Sequence, residues 1–312
     1  DLSEGSVMLQ YLFGRLWQAL ATILLVTIII FIIIRVIGDP THLMLPPEAT
    51  EADRELLRQQ MGLSDPIIWQ YLRFLGALLQ GDLGMSYRFA RPALEVVLDR
   101  VGATMLLTVA SLGLGVAVGV PLGIASAVHR DSRIDAFAKA IALLGQAAPP
   151  FFFGLLFIRF FSVQLGWFPT SGYGSWENLV LPFVALGWYS AAGLMRLTRS
   201  NMLDVLNSEY VKMARVKGVP ENVVVYKHAL KAALIPVVTV VSLQFGALLG
   251  GAIVVESVFA RPGLGRLAVE AILARDFPVI QGVVLVSAVV FVLVNFAAEL
   301  VYSLLDPRIA KS

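Results

Sequence analysis

Runs of about 20 residues free of Asp, Glu, Lys and Arg, the length that crosses a hydrocarbon core of about 30 Å as an α-helix, recur along the chain. They lie at Leu16 to Ile34, Val101 to Val128, Ala140 to Ile158, Asn178 to Met195, Ala232 to Val255 and Phe277 to Ala298. Each is continuous and rich in Leu, Ile, Val and Ala, whereas a transmembrane barrel needs short alternating segments. The pattern predicts about six transmembrane helices in an all-α membrane protein, the second long enough to tilt. In the third, Pro149-Pro150 removes backbone donors and forces a kink or break at membrane depth. Such a break either lines a cavity or is a packing kink whose freed groups the neighbouring helices satisfy.

The connections carry structure of their own. Between Gly38 and Arg100, Thr50-Glu51-Ala52-Asp53 predicts a capped helix start and Gly62 its stop, and Asp65-Pro66 opens a second helix ending near Gly81. That second helix places Ile68, Tyr71, Leu72, Leu75 and Leu79 at three- and four-residue spacing, with Trp69 and Arg73 turned elsewhere. The spacing suits packing on a bundle and lying on a membrane surface equally. Trp167, Phe168, Tyr173 and Trp176 form an aromatic cluster of the kind found at a membrane boundary. The connection from Arg196 to Pro236 is too long for a simple turn. Ser208 is a good N-cap, Glu209 favours the first turn, Gly218 can end the helix in a left-handed cap, and Pro220 with Glu221 starts a second helix. On the first of these helices Tyr210, Ala214 and Lys217 share a face, and small Ala214 lets another surface approach.

Charge orients the bundle. Arg130, Arg133 and Lys139, then Arg196, Arg199, Lys212, Arg215, Lys217, Lys227 and Lys231, then Arg308 and Lys311 fall on one side, and Ser162 to Trp176 on the other carries no basic residue. By the positive-inside rule both termini are expected in the cytoplasm. The six arginines of Gly38 to Arg100 are outnumbered by nine acids, and long loops translocate largely regardless of charge. The first run lacks a small-residue cleavage site at its end and reads as a retained helix. Asp1 to Val7 match nothing that follows, and Met8 opens a better native start, so the first seven residues are expected to be foreign to the native chain.

Composition agrees: with 58% hydrophobic and 15% charged residues and a mean hydropathy of +0.79, the chain holds more apolar surface than a soluble core of 312 residues uses. A net charge of +2 does not suggest a nucleic-acid partner, and without cysteine there is no disulfide, thiolate metal site or cysteine nucleophile. His42, His129 and His228 are scattered with no HExxH pair, so no metal site is expected. No G-x-S-x-G and no G-x-x-x-x-G-K-[ST] occurs, and Gly263-Leu264-Gly265 lacks the strand and third glycine of a dinucleotide site. No catalytic residue is assigned and the chain is not read as an enzyme. Polar groups inside the runs are few, chiefly Gln146, Gln244 and Asn295, and no midplane acid or base suggests a proton- or sodium-driven secondary transporter, the rival of a different class.

The run from Glu209 through Tyr210, Val211, Lys212, Met213, Ala214, Arg215, Val216 and Lys217 to Gly218, followed by His228-Ala229-Leu230-Lys231-Ala232-Ala233-Leu234-Ile235-Pro236, resembles the EAA loop of binding-protein-dependent ABC importer permeases. More narrowly it looks like the B-type permease of the dipeptide, oligopeptide and nickel importer family. The likeness continues through Gln59-Gln60-Met61-Gly62-Leu63, Gly81-Asp82-Leu83-Gly84, Leu165-Gly166-Trp167-Phe168-Pro169, Gln244-Phe245-Gly246, Val254-Val255-Glu256 and Arg261-Pro262-Gly263-Leu264-Gly265-Arg266. Lys212 and Met213 stand where the general pattern has its first glutamate and alanine, and Lys231 where it has proline.

The resemblance implies a type I ABC importer permease fold in a bacterial inner membrane. It implies an N-terminal helix over 8–37, an extracytoplasmic helical segment over 38–100, a five-helix core over 101–306 with the EAA loop at 196–236, and a cytoplasmic tail over 307–312. In that family the loop couples to an ATPase, which implies a contact made by Ser208, Glu209, Tyr210, Lys212, Met213, Ala214, Arg215, Lys217, Gly218, Val219, Pro220 and Glu221. The implied partners are a homologous C-type permease, two D/F-type ATPases holding ATP and Mg, an extracytoplasmic substrate-binding protein and membrane lipid; this chain is expected to hold no cofactor. Peptide cargo is expected, with glutathione, opines or nickel as alternatives. Gln146, Pro149, Pro150 and Gln244 are the candidate path-lining residues, although glutamines in a bundle also serve as ordinary interhelical hydrogen-bonding groups.

Overall fold

The computed structural model describes residues 2–37, 41, 45, 49–60 and 62–305; His42 and the 307–312 tail lie outside them. The described residues fold as helices α1 (Leu2–Ile37), α2 (Glu51–Gln60), α3 (Ile67–Leu79), α4 (Ala93–Val128), α5 (Arg133–Ala147), α6 (Pro150–Phe157), α7 (Glu177–Leu206), α8 (Glu209–Val216), α9 (Leu230–Val258), α10 (Leu264–Leu273) and α11 (Phe277–Leu305). Among them five helices are long and apolar enough to cross a membrane, or six if one bent pair counts as a single span. The bent pair corrects the expectation of one helix over Ala140 to Ile158. α5 ends at Ala147, Ala148 and Pro149 are extended, and α6 restarts at Pro150 and runs on through a π-helical segment to Gln164, bent by 98°. The two prolines supply no N–H, so the carbonyls of Gly145 and Gln146 lose the amides that would have continued the helix.

The chain divides into two compact units, one of residues up to Gly102 with Arg266–Val292, the other of Ala103–Gly265 with the chain from Leu293 onward. In the first, Thr50 and Asp53 cap α2 reciprocally, Asp53 N–H donating to Thr50 Oγ1 at 3.2 Å and Thr50 N–H to Asp53 Oδ2 at 3.0 Å. Gly62, at φ +64, ends that helix as its position predicts. α3 packs on α1 through Tyr71 and Phe74, whose rings lie 5.1 and 5.8 Å from that of buried Phe31, and Tyr71 Oη meets Thr27 Oγ1 at 2.8 Å. Ile68, Trp69, Leu72 and Leu79 stay exposed, so the face that packs is set by Tyr71 and Phe74 and not by the aliphatic stripe. The 82–92 loop is held by buried Asp276, which accepts from Ser86 Oγ at 2.5 Å and Arg88 N–H at 3.2 Å.

In the second unit α7 is central. Gly115, Gly119 and Gly123, one turn apart on α4, let that helix lie directly on the α7 backbone: a Cβ at Gly119 would stand 2.5 Å from the Ala191 carbonyl oxygen, and one at Gly123 2.7 Å from that of Met195. This is the close crossing that small residues at four-residue spacing permit in membranes. Gly119→Ala should therefore force the helices apart and destabilise the chain by about 1–3 kcal/mol. A lowered melting temperature in detergent checks it, with Gly102→Ala, where a Cβ meets nothing within 4 Å, as the control that leaves it unchanged. Leu107 of α4, Leu181 and Leu186 of α7, and Leu248, Ala252 and Val255 of α9 complete one buried cluster with Phe259.

Candidate functional site

The connection between α7 and α9 folds into a knob. Ser208 has the backbone of an N-cap (φ −70, ψ 153), but its hydroxyl donates to the Val205 carbonyl at 2.5 Å instead of capping α8. The unsatisfied carbonyls at the end of α7 compete for it and win. Glu209 pairs with Lys212 at 2.8 Å. Gly218, at φ +76, closes α8 as expected: its N–H donates to Arg215 O at 2.9 Å and that of Val219 to Ala214 O at 3.2 Å. These are the two bonds of a Schellman motif. Pro220 then opens a helical turn, Glu221–Val223, which passes through a π-helical stretch, Val224–Ala229, straight into α9. The second helix is thus the leading end of a membrane helix.

The inner face of the knob is sealed. Val211, Val224, Val225, Ala229 and Ala233 are buried with Ala127 of α4 and Met202 and Leu206 of α7, and Ala214 and Val219 pack against the same cluster. Ala214 therefore turns inward, away from the face expected to carry it with Tyr210 and Lys217. The spacing alone could not choose, because alanine suits a close partner and the chain's own core equally. The outer face is Tyr210, Met213 and Val216, at 50, 59 and 81% exposure, with Tyr226 beside them in the following segment at 61%.

Arg215 locks the knob on two sides. Its Nη2 and Nε donate to Glu221 Oε1 and Oε2 at 2.7 and 3.1 Å, and its Nη1 to the Leu206 carbonyl at 3.2 Å. The hydrogen bond to Glu221, then the nearness of its charge, raise the Arg215 pKa above the ordinary guanidinium value. A half-exposed pair of this kind is worth about 0–1 kcal/mol by itself; its geometric role is to join the ends of α7, α8 and the helix leading into α9.

A buried ion pair stands where α5 meets α7. Asp135, fully buried, accepts from Arg199 Nε and Nη2 at 2.8 and 3.0 Å, from Ser126 Oγ at 2.6 Å and from the Asp131 N–H at 3.0 Å, with Lys139 Nζ at 2.7 Å. Sequence reasoning counted Arg199 among the basic residues of a connection and passed over Asp135; the signal available was Ser132 three residues ahead, the N-cap of α5. Glu256 was legible in the sequence only through the Val254-Val255-Glu256 stretch of the resemblance, which gave it no partner. It is buried, accepting from Thr104 Oγ1 at 2.5 Å and from the Gly265 N–H at 2.9 Å at the start of α10, where a helix favours negative charge.

The polar candidates in the spans also meet. Gln146, at the end of α5, and Gln244, in α9, both reach Gly193 of α7: a Cβ there would stand 3.3 Å from Gln146 Nε2 and 3.2 Å from Gln244 Nε2. Pro149 and Pro150 form the break that follows Gln146 directly.

The second unit thus offers a helical knob tied to α7 and α9, and polar side chains beside the break between α5 and α6. The family model described as "Binding-protein-dependent transport system inner membrane component" matches residues 119–311, and the model of the N-terminal part of such membrane components matches residues 8–108. The chain is 42% identical to the glutathione transport system permease protein GsiC of Escherichia coli O6:H1, and 43% identical to that of Salmonella paratyphi A, each over 97% of this chain and 99% of the relative. In fold it is similar to a chain of the inward-facing MetNI methionine ABC transporter, with a TM-score of 0.56 at 19% identity over 68% of this chain and 96% of that one. The chain belongs to the binding-protein-dependent transport system inner membrane components, and is a multi-pass permease subunit of an ATP-binding-cassette importer of the bacterial inner membrane, working with a partner permease, ATPases and a binding protein.

Proposed function

We propose that this permease carries short peptides inward, glutathione-sized tripeptides among them, and that α8 is the lever on which the ATPases act. The observation that carries the lever is the knob's two-sidedness. One face is sealed into the cluster joining α4, α7 and α9, and the other presents Tyr210, Met213 and Val216 to a partner. Coupling requires a rigid element whose contacts differ between two states, and a helix closed by a Schellman cap at its C-terminal end and tied by Arg215 to Leu206 and Glu221 meets that requirement. The knob faces the cytoplasm with both termini, in keeping with Lys212, Arg215, Lys217, Lys227 and Lys231 at that end.

The ATPases, two subunits of D/F type, hold the ATP and Mg, and a homologous C-type permease lines the other half of the path. Within Ser208 to Glu221 the outward residues, Tyr210 and Met213 among them, make the ATPase contact while Val211, Ala214 and Val219 hold the knob together from inside, and Gln146, Pro149, Pro150 and Gln244 line this half of the path. The peptide assignment is supported by the permease relatives named for glutathione, itself a tripeptide. The test is Gly218→Val in the assembled importer in proteoliposomes. A β-branched residue at φ +76 strains the cap by about 1–2 kcal/mol, and peptide uptake per ATP hydrolysed should fall several-fold with insertion and assembly intact. Uptake at the parental ratio would remove α8 as the lever, and a parent complex that imports no peptide would remove the peptide assignment.

A further inference from the structure

Gln146 and Gln244 both make no hydrogen bond within the described residues, although they come from two different helices to the same glycine. Gln244 Oε1 is buried without a partner, and so is the indole Nε1–H of Trp188. Trp188 lies against the same turn of α5, since a Cβ at Gly145 would stand 2.6 Å from its Nε1, and its ring packs 6.4 Å from that of Phe153 just past the break. The carbonyls of Gly145 and Gln146 lack the amides that Pro149 and Pro150 cannot supply. One short stretch of the second unit thus gathers three neutral sources of N–H, Gln244 and Trp188 each with a buried unpartnered atom, which is costly, and Gln146 partly exposed beside them.

Glutamines that served only to hold helices together would bond each other or the backbone. The side-chain nitrogens of these two converge on Gly193 with no bond made, and they carry no charge. A group that donates and accepts at once and is itself neutral satisfies such a site, and the peptide bond is that group. A neutral site also ignores side-chain charge, as a path for peptides of varied sequence must.

We propose that Gln146, Gln244 and Trp188 form a hydrogen-bonding waist that holds the backbone amide of a peptide in transit. This rests on the reading of these residues as path-lining in a peptide importer. Binding is transient by construction, because each bond is neutral and the site must release what it takes.

The test uses the complete importer with its binding protein in proteoliposomes, and two probes: trialanine and trialanine methylated on its two amide nitrogens, which keeps the charges and carbonyl acceptors but replaces each N–H donor by a methyl group. The parent should import trialanine at least tenfold faster than the methylated peptide at saturating binding protein. Gln146→Leu/Gln244→Leu, confirmed to copurify with its partner subunits, should lose at least tenfold in trialanine import and reduce that preference to about twofold. An unchanged preference in the double variant overturns the waist, as does an equal fall for both peptides. If the double variant does not assemble, Gln244→Leu alone carries the test, with at least a threefold loss of preference expected. A parent that imports neither peptide defeats the peptide reading itself, a failure visible before any variant is made.

Discussion

Arg199→Leu is expected to destabilise the permease by about 3–5 kcal/mol, the cost of leaving a buried charge without its partner. Asp135 is fully buried and takes a bidentate pair of bonds from Arg199, at 2.8 and 3.0 Å; Lys139, which also reaches it at 2.7 Å, is half exposed and cannot replace a bidentate guanidinium. Melting of the purified complex in detergent should fall accordingly, and less folded chain should accumulate in the membrane. Asp135→Leu combined with Arg199→Leu should recover much of the loss, because a pair replaced by apolar groups of similar volume leaves nothing uncompensated. A double variant no more stable than Arg199→Leu alone would mean that the ion pair is not what Arg199 contributes. Arg199 lies near the end of α7, whose last residue, Leu206, is bound by Arg215 of the knob.

Much of the fold is legible in the sequence because lipid imposes a coarse rule. A span needs only length and the absence of charge, so five apolar runs mark helices, and the sixth, Ala140 to Ile158, carries its own exception in Pro149-Pro150. Local punctuation is equally legible: Thr50 with Asp53, Gly62, Pro66, Gly218 and Pro220 each do locally what their chemistry dictates, because caps and turns depend on a few neighbouring residues. What lies beyond reach is the facing of side chains. In a lipid-facing bundle the outside is as apolar as the inside, so periodicity does not say that Gly115, Gly119 and Gly123 lie on Ala191 and Met195. Nor does it say that Ala214 turns inward, or that Tyr71 and Phe74, more than the leucines of α3, pack on α1. Long-range polar pairs are hidden for another reason: Asp135 and Arg199 are 64 residues apart, and each alone reads as a surface charge. Gln146 and Gln244 could be picked out because polar residues are scarce in the spans; that both meet at Gly193 could not.

Val211→Asp should cost at least ~3 kcal/mol of knob docking, since a carboxylate placed in a dry apolar cluster is either expelled or protonated at comparable expense. Val211 is fully buried among Met202, Leu206, Val224, Val225 and Ala229. With the cluster opened, α8 keeps only the ties of Arg215 to Glu221 and Leu206, which are half exposed and worth far less. The membrane helices do not depend on this cluster for insertion, so the chain should still reach the membrane. If the docked knob is the competent state, as proposed above, uptake by the assembled importer should fall about 100-fold, the loss that such a free-energy difference gives. Amide hydrogen exchange over 209–219 should accelerate in parallel, since local opening sets the protection there. Val211→Ala removes only part of the packing, about 2 kcal/mol, and should give an intermediate effect in both measurements. Tyr210→Asp, on the exposed face one residue away, separates the two roles of the helix: exchange should stay slow because docking is intact, while uptake drops because the partner surface has changed. Fast exchange with normal uptake in Val211→Asp would mean that transport does not require a docked knob; slow exchange would mean that other contacts hold it.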